Sequence, residues 1–236
     1  MLYDHTLYLR TLSEFTRVLL TPYDVHAVLE QLASRVTEVL GLLGSGVSLA
    51  QGDRLAFDAG VGGPVTELER LQEETQIGPC VTAFRSGQIV TATDLDAEKD
   101  RWPEYCRTAA TLGVGAVASI PMRLGEQTVG AMNLYAGESR VWDKEDMAAA
   151  VVMADMATAY LINASQHRQQ VELAEQLQRA LDARVIIEQA KGMLAVKRGI
   201  TPDAAFEQLR HHARGRGATV RTVAEAVVNL GMDLDT

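Results

Sequence analysis

The spacing of apolar residues changes along the first part of the chain. Residues 7–20 repeat apolar side chains at intervals of three and four, which predicts a helix. A second helix is expected from Thr21 as N-cap, with Pro22 at the first helical position, to Leu40. From SGVSLAQ onward, short apolar runs bounded by glycine are typical of strands, and Gly52-Asp53 predicts a hairpin between two of them.

The clearest sheet pattern is VGAVASIPMRLGEQTVGAMNLYA, where two runs of strand length flank a turn at Gly125-Glu126. Between the two hairpins the pattern predicts a polar helix at 67–75, a short helix, a strand at 89–93 and another short helix. The stretch DKEDMAAAVVMADMATAYLINA predicts a further helix capped by Asp143. These elements favour an α+β domain in which helices pack on one side of a largely antiparallel sheet.

Residues 143–198 contain no proline and a single glycine, which predicts one long helix or two nearly collinear ones. Arg184 and Lys191 interrupt an apolar four-and-three spacing within this stretch. The seam that this spacing predicts is too short for a long coiled coil but sufficient for pairing. Its apolar members are Leu173, Leu177, Ala180, Ile187 and Leu194.

Three apolar stripes at helical spacing follow in residues 184–228 and predict a three-helix bundle. Gly199 is expected to end the first helix, Thr201 to cap the second, and either Thr219 or Thr222 to cap the third. The stripes comprise Ile186, Ile187, Ala190, Met193 and Leu194; Ala205, Phe206, Leu209 and Ala213; and Val220, Val223, Ala224 and Val227.

Charge is distributed unevenly in this acidic protein of 236 residues and net charge −9. Residues 191–221 hold seven Lys+Arg against two Asp+Glu. Arg184, Lys191 and Arg198 recur at intervals of seven and share a helix face, while Arg210 and Arg214 lie four apart. A local basic patch on an acidic chain indicates a surface that faces a polyanion, and the shortage of aromatic residues favours phosphate contacts over base stacking.

Other features limit the chemistry. Cys80 and Cys106 fit free thiols in a reducing cytosol better than a disulfide scaffold. The most apolar stretch, 147–164, is interrupted by Asp155 and favours a buried helix, so we expect a cytoplasmic protein without a membrane span. The five histidines are scattered without the spacing of metal ligands, and we expect neither a metal site nor catalytic residues.

The stretch IEQAKGMLAVKRGITPDAAFEQLRHHAR closely resembles the ANTAR domain, an RNA-binding antitermination module of bacterial regulators. The resemblance implies a three-helix module that acts as a dimer on paired RNA hairpins, whose formation prevents a terminator. It implies RNA contacts for Lys191 and Arg210, and close packing or approach at Gly192 and Ala205. The charge pattern adds Arg198 and Arg214 as candidate RNA contacts.

Residues 1–165 resemble a GAF domain, an α+β ligand-sensing fold. The resemblance is carried by GPCVTAFRSGQIVTATDL, RWPEY and GVGAVASIPMRLGEQTVGAMNLYAGESRVWDKED. It implies a small-molecule pocket between the sheet and the helices that cover one face, with a ligand that the sequence does not identify. Candidate pocket residues are Arg85, Trp102, Tyr105 and Cys80.

The sequence therefore predicts a GAF sensor domain at 1–165 and a coiled-coil helix with an ANTAR RNA-binding domain at 166–236. The expected fold is an α+β GAF domain, with an antiparallel sheet and flanking helices, joined by a long and partly coiled-coil helix to an all-α three-helix bundle. The expected function is that of a signal-responsive, homodimeric antiterminator without enzymatic activity. Two alternatives stay open: a GAF thiol enzyme similar to free methionine sulfoxide reductase, and a GAF-driven dimeric scaffold that binds a protein partner.

Overall fold

The computed structural model describes residues 3–19 and 21–234, and the chain divides into two compact units, Met1–Ser165 and Gln166–Thr236. The helices are α1 (His5–Val18), α2 (Val25–Leu40), α3 (Gly63–Thr75), α4 (Pro79–Ser86), α5 (Pro103–Thr111), α6 (Lys144–Arg198), α7 (Pro202–Gly215) and α8 (Val220–Leu230), with a 3-10 turn at Leu95–Glu98. The strands are β1 (Gly44–Gln51), β2 (Arg54–Val61), β3 (Val90–Ala92), β4 (Ala116–Leu124) and β5 (Gln127–Ala136).

The start of α2 differs from the sequence prediction. Its N-cap is Asp24, whose side chain accepts a hydrogen bond from the backbone N–H of Ala27, so Thr21 and Pro22 precede the helix. Aspartate and threonine are both good N-caps, and the prediction chose the wrong one because a proline followed the threonine. Helix α1 ends at Val18, and the predicted end at residue 20 lies outside the described residues.

The five strands form one antiparallel sheet in the order β2-β1-β5-β4-β3. Both predicted hairpins are present, and their turns place Gly52 at φ 67° and Gly125 at φ 60°, in the left-handed region that glycine adopts at little cost. Strand β4 is buried from Ala116 to Met122 without alternation. This pattern means that both faces of the sheet are covered.

Helices therefore pack on both faces of the sheet, whereas the sequence pattern predicted only one. One face packs against α1, α2 and α6 through a core that includes Leu32, Ile120 and Met153. The other face packs against α3 and α5, with Leu68 and Tyr135 among the buried residues. The helices of this second layer are short and their apolar runs are interrupted, so the sequence pattern did not show that they cover the sheet.

Helix α6 is long and apolar enough to cross a membrane when judged by length and composition alone. Its apolar window has a mean hydropathy of 1.4, and 39% of that window is buried within the structure. Met153, Ala157 and Tyr160 pack into the core of the first unit. Part of this apolar window therefore lies in the core of a folded unit.

In the second unit, the C-terminal part of α6 packs with α7 and α8 around a core that includes Ala190, Leu209 and Val227. The cap of α8 is Thr219, which accepts a hydrogen bond from the N–H of Thr222. Met193, predicted to lie in the core, is 47% exposed. The prediction failed there because a position at the border of a helical stripe can face either side.

The side-chain amide of Gln76 forms hydrogen bonds to the backbone of the edge strand β2. Gln76 follows α3 with φ 54°, the left-handed conformation, and is buried. Its Oε1 accepts from the N–H of Leu55 at 3.0 Å, and its Nε2 donates to the carbonyl of Leu55 at 2.8 Å. One amide thus replaces the pair of bonds that a neighbouring strand would make to Leu55.

We predict that Leu32→Ala lowers the free energy of unfolding of the first unit by about 2–5 kcal/mol, because Leu32 is fully buried and truncation leaves a cavity. Trp102 and Trp142 are the protein's two tryptophans, so their fluorescence during urea unfolding reports on this unit. Leu9→Ala removes the same atoms at a position that is 53% exposed, and should cost little. Equal losses in the two variants would contradict the assigned core.

Candidate functional site

Lys191 packs against helix α7. Its Nζ lies 2.8 Å from Glu188 Oε1 and 5.7 Å from the ring centroid of Phe206, and its side chain is only 15% exposed. An ammonium group at this distance from an aromatic face gains a cation–π attraction. Phe206 therefore holds Lys191 against the second helix of the three-helix unit.

Arg210 and Arg214 continue the α7 surface on which Phe206 lies, because the three residues are spaced by four. Arg210 Nη1 lies 3.1 Å from Glu207 Oε1 in an exposed ion pair. Arg214 is exposed and forms no ion pair within the described parts of the chain. Exposed pairs contribute little stability, so both guanidinium groups can turn toward a phosphate. We call Lys191, Arg210 and Arg214 the basic face.

Arg198 is engaged elsewhere. Its Nη1 donates to Gln208 Oε1 at 2.8 Å, its Nη2 lies 2.8 Å from Asp233 Oδ1, and it donates to the carbonyl of Leu234. The neighbouring Lys197 Nζ lies 2.9 Å from the other oxygen of Asp233. Hydrogen bonds from Arg198 and Lys197 lower the pKa of Asp233 to about 2. Arg198 is thus a contact between α6 and the C-terminal segment.

Gly192 and Ala205, the other two residues predicted at the RNA site, have different surroundings. Ala205 is fully buried in the core of the three-helix unit. Gly192 is exposed, and a Cβ built on it meets no atom within 4 Å. Ala205 therefore acts through packing. The surface of α6 at Gly192 is open to solvent, and a side chain at this position would project into that space.

The first unit has a surface pocket of about 420 Å³ beside α4. Arg85 and Trp102, both predicted ligand residues, line it together with Arg101. The guanidinium carbon of Arg101 lies 4.2 Å from the ring centroid of Trp102. The other predicted residues, Cys80 and Tyr105, are buried and do not line this pocket. Arg101 also lies 3.7 Å from Glu98. A pocket lined by two arginines and an indole ring suits a ligand with an anionic group and a flat apolar part.

Sequence reasoning missed a buried polar cluster on the same side of the sheet. Glu69 on α3 is fully buried, and its Oε1 accepts from Asn133 Nδ2 at 2.7 Å and from the Tyr135 hydroxyl at 2.8 Å. Its Oε2 accepts from Ser48 Oγ at 2.9 Å. A Cβ on Gly46 would lie 2.5 Å from Glu69 Oε1, so this close approach requires glycine.

The cluster extends to Cys80 and contains unpaired polar atoms. Asn133 Nδ2 lies 2.9 Å from Cys80 Sγ. Asn133 Oδ1 and Ser119 Oγ are buried and have no hydrogen-bond partner within the described residues. Ser119 and Asn133 are opposite each other in the pairing of β4 with β5. Two unpaired polar atoms therefore lie side by side on the sheet face that α3–α5 cover.

Burial controls the protonation of this cluster. Burial raises the pKa of Glu69, while the hydrogen bonds from Tyr135, Asn133 and Ser48 act in the opposite direction. Burial also raises the pKa of the Cys80 thiol well above its ordinary value, and the charge of Glu69 adds to the effect. A signal for Glu69 was present in the sequence, because Glu69 lies at core spacing with Val65, Leu68 and Gln72.

Within the part of the chain that the structure describes, no group of three or more His, Cys, Asp or Glu side chains could hold a metal ion.

Two protein-family models match separate parts of the chain. A family model for the GAF domain matches residues 23–161, more than half of the chain, and the chain belongs to that family. A family model for the ANTAR domain matches residues 175–228, which completes the GAF–ANTAR architecture that the sequence predicted. GAF is a signal-sensing domain and ANTAR an RNA-binding antitermination domain. A search of curated proteins gives no match.

Solved structures share the fold of the first unit. The GAF domain of a phosphoenolpyruvate-protein phosphotransferase from Coxiella burnetii is similar at TM-score 0.55 and 15% identity, covering 70% of this chain and 98% of that chain. The corresponding domain from Acinetobacter gives 0.54 and 12%, covering 69% and 97%. Free methionine-R-sulfoxide reductase from Neisseria meningitidis, in complex with its substrate, gives 0.54 and 18%, covering 69% and 92%. At these identities the likeness shows the fold alone.

We predict that Glu69→Gln changes how stability depends on pH. The raised pKa means that the folded state keeps the proton to higher pH than the unfolded chain, whose ordinary value is 4.5. The free energy of unfolding of the parent should therefore fall as pH rises from this value through the pKa of the folded state. Glu69→Gln removes the titrating group and with it that fall. The free energy of unfolding of the variant minus that of the parent should therefore increase as pH rises.

Tryptophan fluorescence during urea unfolding between pH 5 and 8 measures this difference. Glu67→Gln is the matched control, because Glu67 lies on the same helix and is exposed. Its stability should follow the parent across the range. Parallel pH profiles for Glu69→Gln and the parent would show that the buried carboxyl does not take up the proton.

Proposed function

We propose that this protein is a signal-responsive cytoplasmic regulator that binds paired hairpins in nascent transcripts and prevents transcription termination. The observation that carries the proposal is the basic face on the ANTAR unit, where Phe206 holds Lys191 beside the α7 surface of Arg210 and Arg214. Such a face neutralises phosphates, and a protein that binds one RNA fold more tightly than another shifts the equilibrium toward it. The regulator needs no bond chemistry for this task.

We propose that the signal is a small molecule bound at the pocket of Arg85, Arg101 and Trp102. The GAF family membership and the two arginines that line the pocket, one of them over the indole ring, support an anionic ligand there. Tyr105 supports this site through Trp102, since their rings pack edge to face at 6.4 Å, and Cys80 precedes the pocket-lining Val81 on α4. Helix α6 supplies buried residues to both units, so a change in its packing can alter RNA binding.

The thiol-enzyme alternative has weaker support. Cys80 and Cys106 are both buried, and burial raises the pKa of each thiol. A thiol with a raised pKa carries little thiolate at neutral pH and is a poor nucleophile. The likeness to a free methionine-R-sulfoxide reductase is one of fold. We therefore propose that the GAF unit senses and does not catalyse.

We propose that the protein acts as a homodimer through the middle of α6. Every residue from 165 to 182 is exposed, including Leu173, Leu177 and Leu181, which are 55–63% exposed. Part of the predicted seam is unavailable, because Leu194 is buried in the ANTAR core and Ile187 packs against that core. The proposed seam is therefore Leu173 to Val185, where pairing with a second copy removes apolar side chains from water.

The RNA proposal predicts that Arg210→Ala and Lys191→Gln each weaken RNA binding by about 1–3 kcal/mol, a range borrowed from base-specific contacts. Binding is measured by fluorescence anisotropy at several salt concentrations, on a pool of synthetic RNAs with two adjacent hairpins and randomised loops. Arg107→Ala removes an exposed arginine from the GAF unit and should leave the affinity unchanged. Parent-like binding by both ANTAR variants would refute the assigned face, and retention of cellular protein partners after nuclease treatment would favour the scaffold alternative.

The dimer proposal predicts that the double change Leu177→Glu and Leu181→Glu converts the protein to a monomer, because like charges replace the apolar contact. Sedimentation equilibrium at micromolar concentration measures the mass. Val141→Glu adds one charge at an apolar side chain that is 73% exposed in the GAF unit, and should leave the dimer intact. A monomeric parent, or a double variant that stays dimeric, would exclude this seam.

A further inference from the structure

The segment after α8 is fixed to the ANTAR unit. Gly231 ends α8 in the left-handed conformation, and the N–H of Met232 donates to the carbonyl of Ala226 at 3.1 Å. Leu234 is only 2% exposed and belongs to the core of the three-helix unit. This segment, Gly231 to Leu234, lies beyond the end of the ANTAR match at residue 228. We call it the C-terminal clasp.

In the clasp, the carboxylate of Asp233 forms ion pairs with both Lys197 and Arg198. The oxygens of Asp233 lie 2.9 Å from Lys197 Nζ and 2.8 Å from Arg198 Nη2. Lys197 and Asp233 remain 57% and 49% exposed, so water and solutes reach the group. The arrangement is that of an ammonium and a guanidinium group holding the oxygens of one anion, which is how proteins also hold a phosphate.

An exposed carboxylate in such a position is exchangeable. Ion pairs on a protein surface contribute little stability, because water and salt screen them. An RNA phosphate offers oxygen acceptors of the same kind on a polymer of high charge density, and releases counterions when it binds. Leu234 anchors the clasp independently of Asp233, so the carboxylate can leave the cations without detaching the segment.

We propose that Lys197 and Arg198 form a second phosphate-binding site of the ANTAR unit, and that Asp233 of the C-terminal clasp occupies it as a competitor of RNA. The inference rests on the proposed RNA-binding function. It assigns the two cations a role that depends on displacement of the clasp carboxylate, whereas Lys191 and Arg210 of the basic face pair with glutamates three residues away on their own helices. Five of the seven cations in residues 191–221 form ion pairs, and Lys197 and Arg198 are the two that share the carboxylate of the clasp.

Asp233→Asn tests the proposal, because it removes the negative charge and keeps the size of the side chain. RNA affinity should rise by about threefold to tenfold, the gain expected from releasing one exposed and one partly buried ion pair. The slope of log affinity against log salt should steepen by about 1.4–1.8, since two more phosphates are neutralised. The measurement is anisotropy on the same pool of synthetic RNAs with two adjacent hairpins.

Two control variants make the result specific. Asp203→Asn makes the same change of charge in the first turn of α7, at a side chain that takes no part in these ion pairs, and should not reproduce the steeper salt dependence. Lys197→Gln should have little effect in the parent, where Asp233 already neutralises Lys197, and should cancel part of the gain in the Asp233→Asn background. The comparison of Lys197→Gln in the two backgrounds stays informative even if a variant is modestly less stable. Thermal unfolding of each variant measures that loss of stability.

The outcomes separate the two proposals. Unchanged affinity and salt slope in Asp233→Asn, with weakened binding in Arg210→Ala, would overturn the clasp proposal and leave the RNA-binding function in place. Equal effects of Lys197→Gln in both backgrounds would also overturn it. Absence of RNA binding by the parent and by every variant would overturn both proposals together.

Discussion

The structure depends on the burial of helix α6 at both of its ends. Its first part supplies Met153, Ala157 and Tyr160 to the core of the GAF unit, and its last part supplies Ala190 and Leu194 to the core of the ANTAR unit. Burial of apolar side chains is the main source of stability for each unit. The residues between these ends have no such support within one copy of the chain. A helix of that length in water needs packing to be stable.

The cations of the ANTAR unit show that charge alone does not define a nucleic-acid interface. Lys191 is held by Phe206 and Glu188, Arg210 keeps a weak exposed partner, and Arg198 is bonded to the C-terminal clasp. The seven-residue spacing places Arg198 on one helix face with Lys191, yet its partners come from another segment. Each cation therefore differs in the cost of leaving its present partner for a phosphate.

The order of helices and strands could be predicted because local rules determine it. Asp143 and Thr201 cap their helices as predicted, and glycine occupies the left-handed position of both hairpin turns. The environment of Glu69 could not be predicted, because its partners Asn133 and Tyr135 lie more than sixty residues away. For the same reason the sequence pattern did not reveal Asp233 as the partner of Arg198. Local residue spacing shows which side chains are buried but not which distant residues they contact.

The amide of Gln76 has a consequence for which surfaces of the protein can associate. Strand β2 is an edge of the sheet, and an unpaired edge invites pairing with a strand of another molecule, which leads to aggregation. Gln76 occupies the donor and acceptor of Leu55, so an incoming strand meets a position that is already bonded. Protection at this point of the edge therefore disfavours association of the protein through its sheet.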